Sequence, residues 1–424
     1  MSIVTLSPAG LAGTVTLPPS KSAAHRAILC AALSRGVSEI DNISLSKDIS
    51  ATLGAVEALG VRTRLEGGRL TVDGRGLFSQ REVAIDCGES GSTLRFLIPV
   101  AAAGGQTATF TGRGRLPERP IGIYLDCLPP QGVVCATRGG LPLRISGQLR
   151  PGVFSMPGNV SSQFVTGLLL ALPLLPGDSD IWLTSPLESL GYVEMTLEQL
   201  ERFGVGIQRT ERGYHVPGNQ RYRPQRLSVE GDWSQAAFFM AAAAMGAQPL
   251  TLRGLLLPSS QGDSAAVTLF ERFGARIERG HGEITVHPGA LKGIEIDASQ
   301  IPDLVPILAV AGALAQGVTR IYGAARLRIK ESDRLAAIAD GLNRLGAQVR
   351  ELPDGLVIQG VPALEGGRAE GCNDHRIVMA LSIAALRAWG PVEITDAQSI
   401  EKSYPAFFED YNSLGGHAHV IHLG

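Results

Sequence analysis

Lys21, Ser22 and Arg26 open a segment, PSKSAAHRAILCAALSRG, that is otherwise apolar. A hydroxyl and two cations at the start of a helix suit an anionic ligand. The first turn leaves backbone N–H groups without intrahelical partners, and the helix dipole is positive there. The arrangement returns along the chain. Ser90, Ser92 and Arg95 open a second apolar run, Ser161, Ser162 and Gln163 a third, and Asp232 and Ser234 a fourth. Asp303 opens the fifth, and Asn373, Asp374, His375 and Arg376 open the sixth. Ser, Asp and Asn at such positions also fit ordinary N-caps. Capping does not account for Lys21, Arg26, Arg95 and Arg376 at the border of apolar helices. Charge there needs a partner, which a bound phosphate or carboxylate would supply.

Further cations lie in loops. GRGRLPERP brings Arg113, Arg115 and Arg119 together, RLRIKESDR carries Arg326, Lys330 and Arg334, and IEKSYP places Lys402 in an expected extended segment. Two acids stand among these cations. Asp303 follows Pro302, and Glu331 comes three residues before Arg334. A carboxylate near cations stays ionised and can accept a proton; either acid equally fits a cap or an ion-pair partner. The chain has no P-loop, no GxGxxG after a strand, no HExxH, no CxxC and no GxSxG elbow. His417, His419 and His422 read as a solvated tail.

The elements that must hold these residues follow a period. The six runs start at residues 20, 89, 159, 231, 301 and 373, about 70 residues apart. A second marker has the same spacing: Gly60, Gly132, Gly204, Gly274, Gly346 and Gly415 each end a helix. After the first five come paired alternating segments such as VRTRLEGGRLTVDG, joined by tight-turn residues. Each unit therefore holds a buried helix, stopping at Gly36 in the first, an amphipathic helix and several strands. The amphipathic helices include 48–60, 194–204 and 331–346, and read as covers over a sheet. Six such units suit two compact groups of three. The polar, Pro- and Gly-interrupted segment 213–229 marks the midpoint, and the strand 3–7 fits either group.

Composition sets the outer limits. The chain has 424 residues, 44% of them hydrophobic, and a net charge of −2, which argues against nucleic-acid binding by bulk charge. The longest apolar run, 164–175, falls short of the ~20 residues that span a bilayer. Five cysteines without a CxxC predict reduced thiols in a cytoplasmic protein. MSIVTLSPAG lacks the pattern of a secretory signal peptide.

Taken in order, PSKSAAHRA, GESGSTLRF, LPERPIG, VSSQF, EGDWSQAAFF, QIPDLVPILAV, RIKESDRL, NDHR and EKSYP resemble the enolpyruvyl transferase family, and within it the 5-enolpyruvylshikimate-3-phosphate (EPSP) synthases. The resemblance runs from residue 19 to 405. It implies an α/β fold of six βαβαββ repeats, three per domain, with buried parallel helices and a cleft and hinge between the domains. It places 1–17 plus 229–424 in one domain and 18–228 in the other. It implies transfer of the enolpyruvyl group of phosphoenolpyruvate to the 5-hydroxyl of shikimate 3-phosphate, in aromatic amino acid biosynthesis, with no cofactor or metal. The partners would be these two substrates alone, with no nucleic acid or membrane, and the enzyme would be a monomer.

By the same resemblance, Lys21, Ser22 and Arg26 belong to the first substrate-binding group. Ser161, Ser162 and Gln163 would hold shikimate 3-phosphate, with Ser189 and Tyr192 from SLGYVEMT. Gly91, Arg119, Arg334, Arg376 and Lys402 would clamp phosphoenolpyruvate, and Lys21 would touch it too. Lys330 and Arg326 would meet the shikimate ligand, although Arg326 stands where Asn often binds it. Asp303 would take the 5-hydroxyl proton, Glu331 would transfer protons at the methylene carbon, and Lys21 would share this traffic. Gly91 leaves room beside the phosphoenolpyruvate site, which implies ordinary sensitivity to glyphosate. Two alternatives differ in sequence or function. The UDP-N-acetylglucosamine enolpyruvyl transferases carry an early Lys-Asn pair and a loop Cys, where this chain has Lys21-Ser22 and no Cys in GRGRLPERP. A non-catalytic anion-binding protein would not need Asp303, Glu331 and Lys21 together.

Overall fold

The six apolar runs form helices buried on every side, as segments without a polar face must. The computed structural model describes residues 2–422. In chain order the α-helices are α1 (Lys21–Leu33), α2 (Lys47–Ala58), α3 (Gly91–Ala103), α4 (Gly122–Cys127), α5 (Ser162–Ala171), α6 (Leu190–Arg202), α7 (Trp233–Met245), α8 (Ala266–Phe273), α9 (Val305–Ala313), α10 (Arg334–Arg344), α11 (His375–Ala384) and α12 (Phe407–Ser413). The odd-numbered helices are the apolar ones, and every residue of α7 and α9 is buried. Ser20, Ser90, Ser161, Asp232 and Asp374 cap five of them, each accepting a first-turn backbone N–H.

Contacts divide the chain into two compact units: Met1–Pro18 with Gly231–Gly424, here unit 1, and Pro19–Glu230, unit 2. Each has one hydrophobic core and three four-stranded sheets. The second repeat shows the plan. Glu82–Asp86 lies parallel to Thr107–Thr111, and the hairpin Val133–Ala136/Leu143–Gly147 adds antiparallel. The buried helix α3 connects the parallel pair.

Two repeats exchange their first strands. Gly13–Thr16 precedes α1 yet pairs with Leu250–Arg253 in the fourth repeat. Arg226–Ser228 precedes α7 yet pairs with Val37–Asp41 in the first. Among the described residues the sixth repeat forms no hairpin of its own. Ser2–Ser7 and His417–His422 complete its sheet, so the N-terminal strand belongs to the last repeat.

The glycines that mark the period are all left-handed, with φ from +80° at Gly204 to +120° at Gly274. At Gly60 a Cβ would come within 2.3 Å of the Gly76 carbonyl, so the position excludes side chains.

Four local expectations change. α1 ends at Leu33 rather than Gly36, because the Ser34 hydroxyl donates to the Ala31 carbonyl (2.7 Å) and turns the chain. Helix 331–346 begins only at Arg334, where the Asp333 carboxylate accepts from Ala336 N (3.1 Å), and Lys330 and Glu331 stand in the bend before it. Lys402 ends a 3-10 helix, Ala397–Lys402, not an extended segment. The three C-terminal histidines lie on a paired strand, not a tail, although their side chains face solvent.

Candidate active site

In unit 2 the polar residues gather where α1, α3, α5 and α6 begin. Lys21 Nζ lies 2.7 Å from Asp48 Oδ2, in the first turn of α2. Arg26 is 3% exposed and spreads its guanidinium over neutral acceptors: Thr196 Oγ1 (2.8 Å), the Ser22 carbonyl (2.7 Å) and the Tyr192 carbonyl (2.8 Å). It also stacks on Phe96 and Tyr192. Burial lowers its pKa to about 10.

Arg95, also 3% exposed, donates to the Pro120 carbonyl (2.9 Å) and to Gln163 Oε1 (2.7 Å), and lies over the Phe164 ring. Burial, and then the charge of Arg119, hold its pKa well below the usual arginine value. Gln163 is thereby oriented, and its amide Nε2 donates to Ser92 Oγ (3.0 Å). Among the described residues no carboxylate pairs with Arg26 or Arg95. Two buried guanidiniums with only neutral partners leave positive charge unbalanced at these helix starts.

The Arg119 guanidinium packs flat against Gly91, so a Cβ there would lie 2.7–2.8 Å from its atoms. Ser161 caps α5, and Ser162 and Gln163 begin it. Ser189, left-handed at φ 55°, precedes α6, and its carbonyl accepts from Tyr192 N (3.1 Å).

Unit 1 is built differently, around carboxylates. Asp303 gives one oxygen to each of two arginines: Oδ1 to Arg334 Nη1 (3.0 Å) and Oδ2 to Arg376 Nη2 (2.8 Å). Arg376 also donates to Ser234 Oγ (3.0 Å) at the start of α7. Arg334 Nε donates to Asp374 Oδ2 (2.7 Å), and Glu331 Oε2 lies 3.6 Å from Arg334 Nη2. Burial works against the charge of Arg334, yet Asp374, Glu331 and Asp303 outweigh it and raise its pKa. Burial likewise opposes the Asp374 carboxylate, but Arg334 holds its pKa below the usual range. Lys402 Nζ donates to the Asn373 carbonyl (2.5 Å), which fixes it beside the start of α11. The Arg326 guanidinium donates to the Ser299 carbonyl, in the loop before Asp303.

The family model of EPSP synthase (3-phosphoshikimate 1-carboxyvinyltransferase) matches residues 7–411. The chain belongs to the EPSP synthase family.

Curated family members extend the match. A 3-phosphoshikimate 1-carboxyvinyltransferase of Clostridium kluyveri is 46% identical over 418 residues, covering 98% of each chain. One of Clostridium acetobutylicum is 45% identical over 430 residues, covering all of both. Among solved structures, an EPSP synthase of Acinetobacter baumannii matches with TM-score 0.84 and 28% identity over the whole of both chains. The enolpyruvyl transferase NikO of Streptomyces tendae, at TM-score 0.81 and 20% identity over 100% of this chain and 99% of its own, shares the fold. The expected architecture, an α/β fold of six repeated sheet-and-helix units, is the one this family shows.

Within unit 1 the structure joins Asp303, Glu331, Arg334 and Arg376 in one network with Asp374 and His375. Within unit 2 it joins Gln163 to α3 through Arg95 and Ser92, and Arg26 to α6. Asp48 is a partner of a candidate site residue that the sequence does not reveal. An acid in the first turn of an amphipathic helix looks like a favourable dipole contact, and only the fold shows it meeting Lys21. Glu331, Asp374 and His375 also bring potential metal-ligand atoms within 4.8 Å of one another. The Asp374 oxygens are engaged by Arg334, Ser332 and Arg376 N, and a guanidinium beside the trio repels a cation. Glu331 and Asp374 belong instead to the ion-pair network of Arg334.

Proposed function

We propose that the chain transfers the enolpyruvyl group of phosphoenolpyruvate to the 5-hydroxyl of shikimate 3-phosphate and releases phosphate. One observation carries the reading: Arg26 and Arg95 are buried with neutral partners only, as a site for polyanions requires. Family membership supplies the pair of substrates.

In the proposed mechanism the 5-hydroxyl oxygen bonds to C2 of phosphoenolpyruvate while the methylene carbon gains a proton. The tetrahedral intermediate then loses phosphate, and the new methyl carbon returns a proton as the double bond re-forms. Asp303 accepts the hydroxyl proton. In the resting network its oxygens sit on Arg334 and Arg376, which are the groups assigned to phosphoenolpyruvate. An arriving anion draws the same guanidiniums and so leaves the Asp303 oxygens less engaged and open to the hydroxyl proton. Glu331 serves the methylene carbon, and Lys21 shares the proton traffic. Ser22, Arg26, Ser161, Ser162, Gln163, Ser189, Tyr192, Arg326 and Lys330 hold shikimate 3-phosphate. Gly91, Arg119, Arg334, Arg376 and Lys402 hold phosphoenolpyruvate. The scheme uses no cofactor.

We further read the enzyme as a monomer of a reducing, cytoplasmic compartment, supported by five cysteines of which none is bridged. Light scattering after gel filtration tests the monomer. A coupled phosphate-release assay tests the function. Release should require both substrates together. No release with that pair, or release with UDP-N-acetylglucosamine in place of shikimate 3-phosphate, overturns the assignment.

A further inference from the structure

A buried line of side chains in unit 2 crosses three helices and has no part in the mechanism above. His25 on α1, Thr52 on α2, and Thr93 and Ser90 at the start of α3 are each at most 1% exposed. His25 Nδ1 lies 2.7 Å from Thr52 Oγ1, and Thr52 Oγ1 lies 2.7 Å from Thr93 Oγ1. Thr93 Oγ1 donates to Ser90 Oγ at 2.8 Å, and Ser90 Oγ also accepts from Thr93 N at 3.2 Å.

One proton per hydroxyl sets the direction of the whole line. Thr93 spends its proton on Ser90, so it must accept from Thr52. Thr52 then has no proton for His25 and must accept from Nδ1–H. The imidazole is neutral, because burial lowers its pKa to about 3, so Nε2 is bare. Among the described residues Nε2 is buried without a hydrogen-bond partner, and the Phe96 ring stands perpendicular to the imidazole with the centroids 6.5 Å apart. At the other end, Ser90 has received two hydrogen bonds and still holds its own proton. Ser90 precedes Gly91 at the positive end of α3, against which the Arg119 guanidinium lies.

We propose that His25, Thr52 and Thr93 form a one-way hydrogen-bond relay that fixes the Ser90 hydroxyl as a donor to the anionic group bound at the start of α3. The relay rests on the functional reading above, in which that group belongs to phosphoenolpyruvate. Ser90 is then a ligand-binding residue, and His25, Thr52 and Thr93 are positioning residues acting through it. The relay commits the Ser90 lone pairs before substrate arrives, so less hydroxyl rotation has to be frozen on binding.

Two measurements test this. The first needs no substrate. Nitrogen-15 NMR of histidine-labelled enzyme, with His25 assigned by loss of its signal in His25→Asn, should show the Nδ1–H tautomer with Nε2 unprotonated between pH 6 and 8. An Nε2–H tautomer reverses the line and overturns the relay, whatever reaction the enzyme catalyses. The second is kinetic. Thr93→Val keeps the Ser90 cap and the side-chain volume but removes the proton given to Ser90. It should raise KM for phosphoenolpyruvate about tenfold and leave KM for shikimate 3-phosphate within about twofold. Thr93→Ser should restore the original value. A lowered Tm with both KM values unchanged would make the line merely structural and overturn the proposal. Should Thr93→Val not fold, Thr52→Val and the tautomer of the unaltered enzyme decide it. If the unaltered enzyme releases no phosphate but shows the Nδ1–H tautomer, the functional reading fails and the relay direction stands.

Discussion

His375 Nδ1 stands 2.8 Å from Glu331 Oε2, and the imidazole is 1% exposed. Glu331 precedes α10 and His375 begins α11, so the contact ties two helix starts together. The contact sets the imidazole beside the carboxylate proposed to transfer protons. Glu331→Gln keeps the shape and removes the proposed proton carrier. It should lower kcat by about 10²- to 10⁴-fold with KM for either substrate changed little, as phosphate release would show. His375→Asn should lose less in kcat.

Asp374 is the buried anchor of the same network. Its folded pKa is depressed, so it contributes stability above the ordinary carboxylate value and loses it as pH falls through the folded one. Asp374→Asn should cost about 3–5 kcal/mol near pH 7, since it leaves Arg334 underpaired. Urea unfolding at a series of pH values should show the difference from the unaltered protein narrowing only on the acid side.

Gly91→Ala places a methyl group 2.7–2.8 Å from the Arg119 guanidinium. The obstacle is the end of a long side chain, so the protein should fold with Arg119 displaced. KM for phosphoenolpyruvate should rise about 10-fold or more, with KM for shikimate 3-phosphate nearly unchanged. Steady-state kinetics in both substrates check this.

Asp48→Asn removes the charge that holds Lys21 Nζ. Lys21 then loses this ion pair and is held less firmly, and kcat/KM should fall about tenfold, well short of the loss in Lys21→Met. Equal losses in the two variants would mean that Asp48 itself meets a ligand.

The sequence showed the period, the six buried helices and the polar groups at their starts because each depends on local pattern. Gly60 and its five counterparts were legible for the same reason, as a left-handed turn leaves glycine few substitutes. Asp48 was not legible, because its partner lies on another helix and its position suits a surface acid. The line from His25 to Ser90 was hidden too: threonines inside helices look like indifferent core residues until three helices bring them together. The start of α10 is obscured in sequence because Glu331 extends the amphipathic pattern past the true N-cap, Asp333. The histidines of His417–His422 look like a tail in sequence because the strand's partner is at the far end of the chain.

The exchange of first strands has a consequence for dissection of the molecule. At the two ends of unit 2, Ser20 N donates to the Glu230 carbonyl at 2.8 Å, and in unit 1 Asp232 N donates to the Pro18 carbonyl at 2.9 Å. Each pair closes its own unit like a clasp. Unit 2 is thus a contiguous insertion with neighbouring ends, and unit 1 is a continuous body interrupted at a single seam. Excising residues 19–230 and rejoining the seam with a short linker leaves every sheet of unit 1 with its four strands. The excised piece keeps Arg226–Ser228 and so all of its own. A cut only a few residues earlier, before that strand, would instead bare the edge of Val37–Asp41 and invite aggregation.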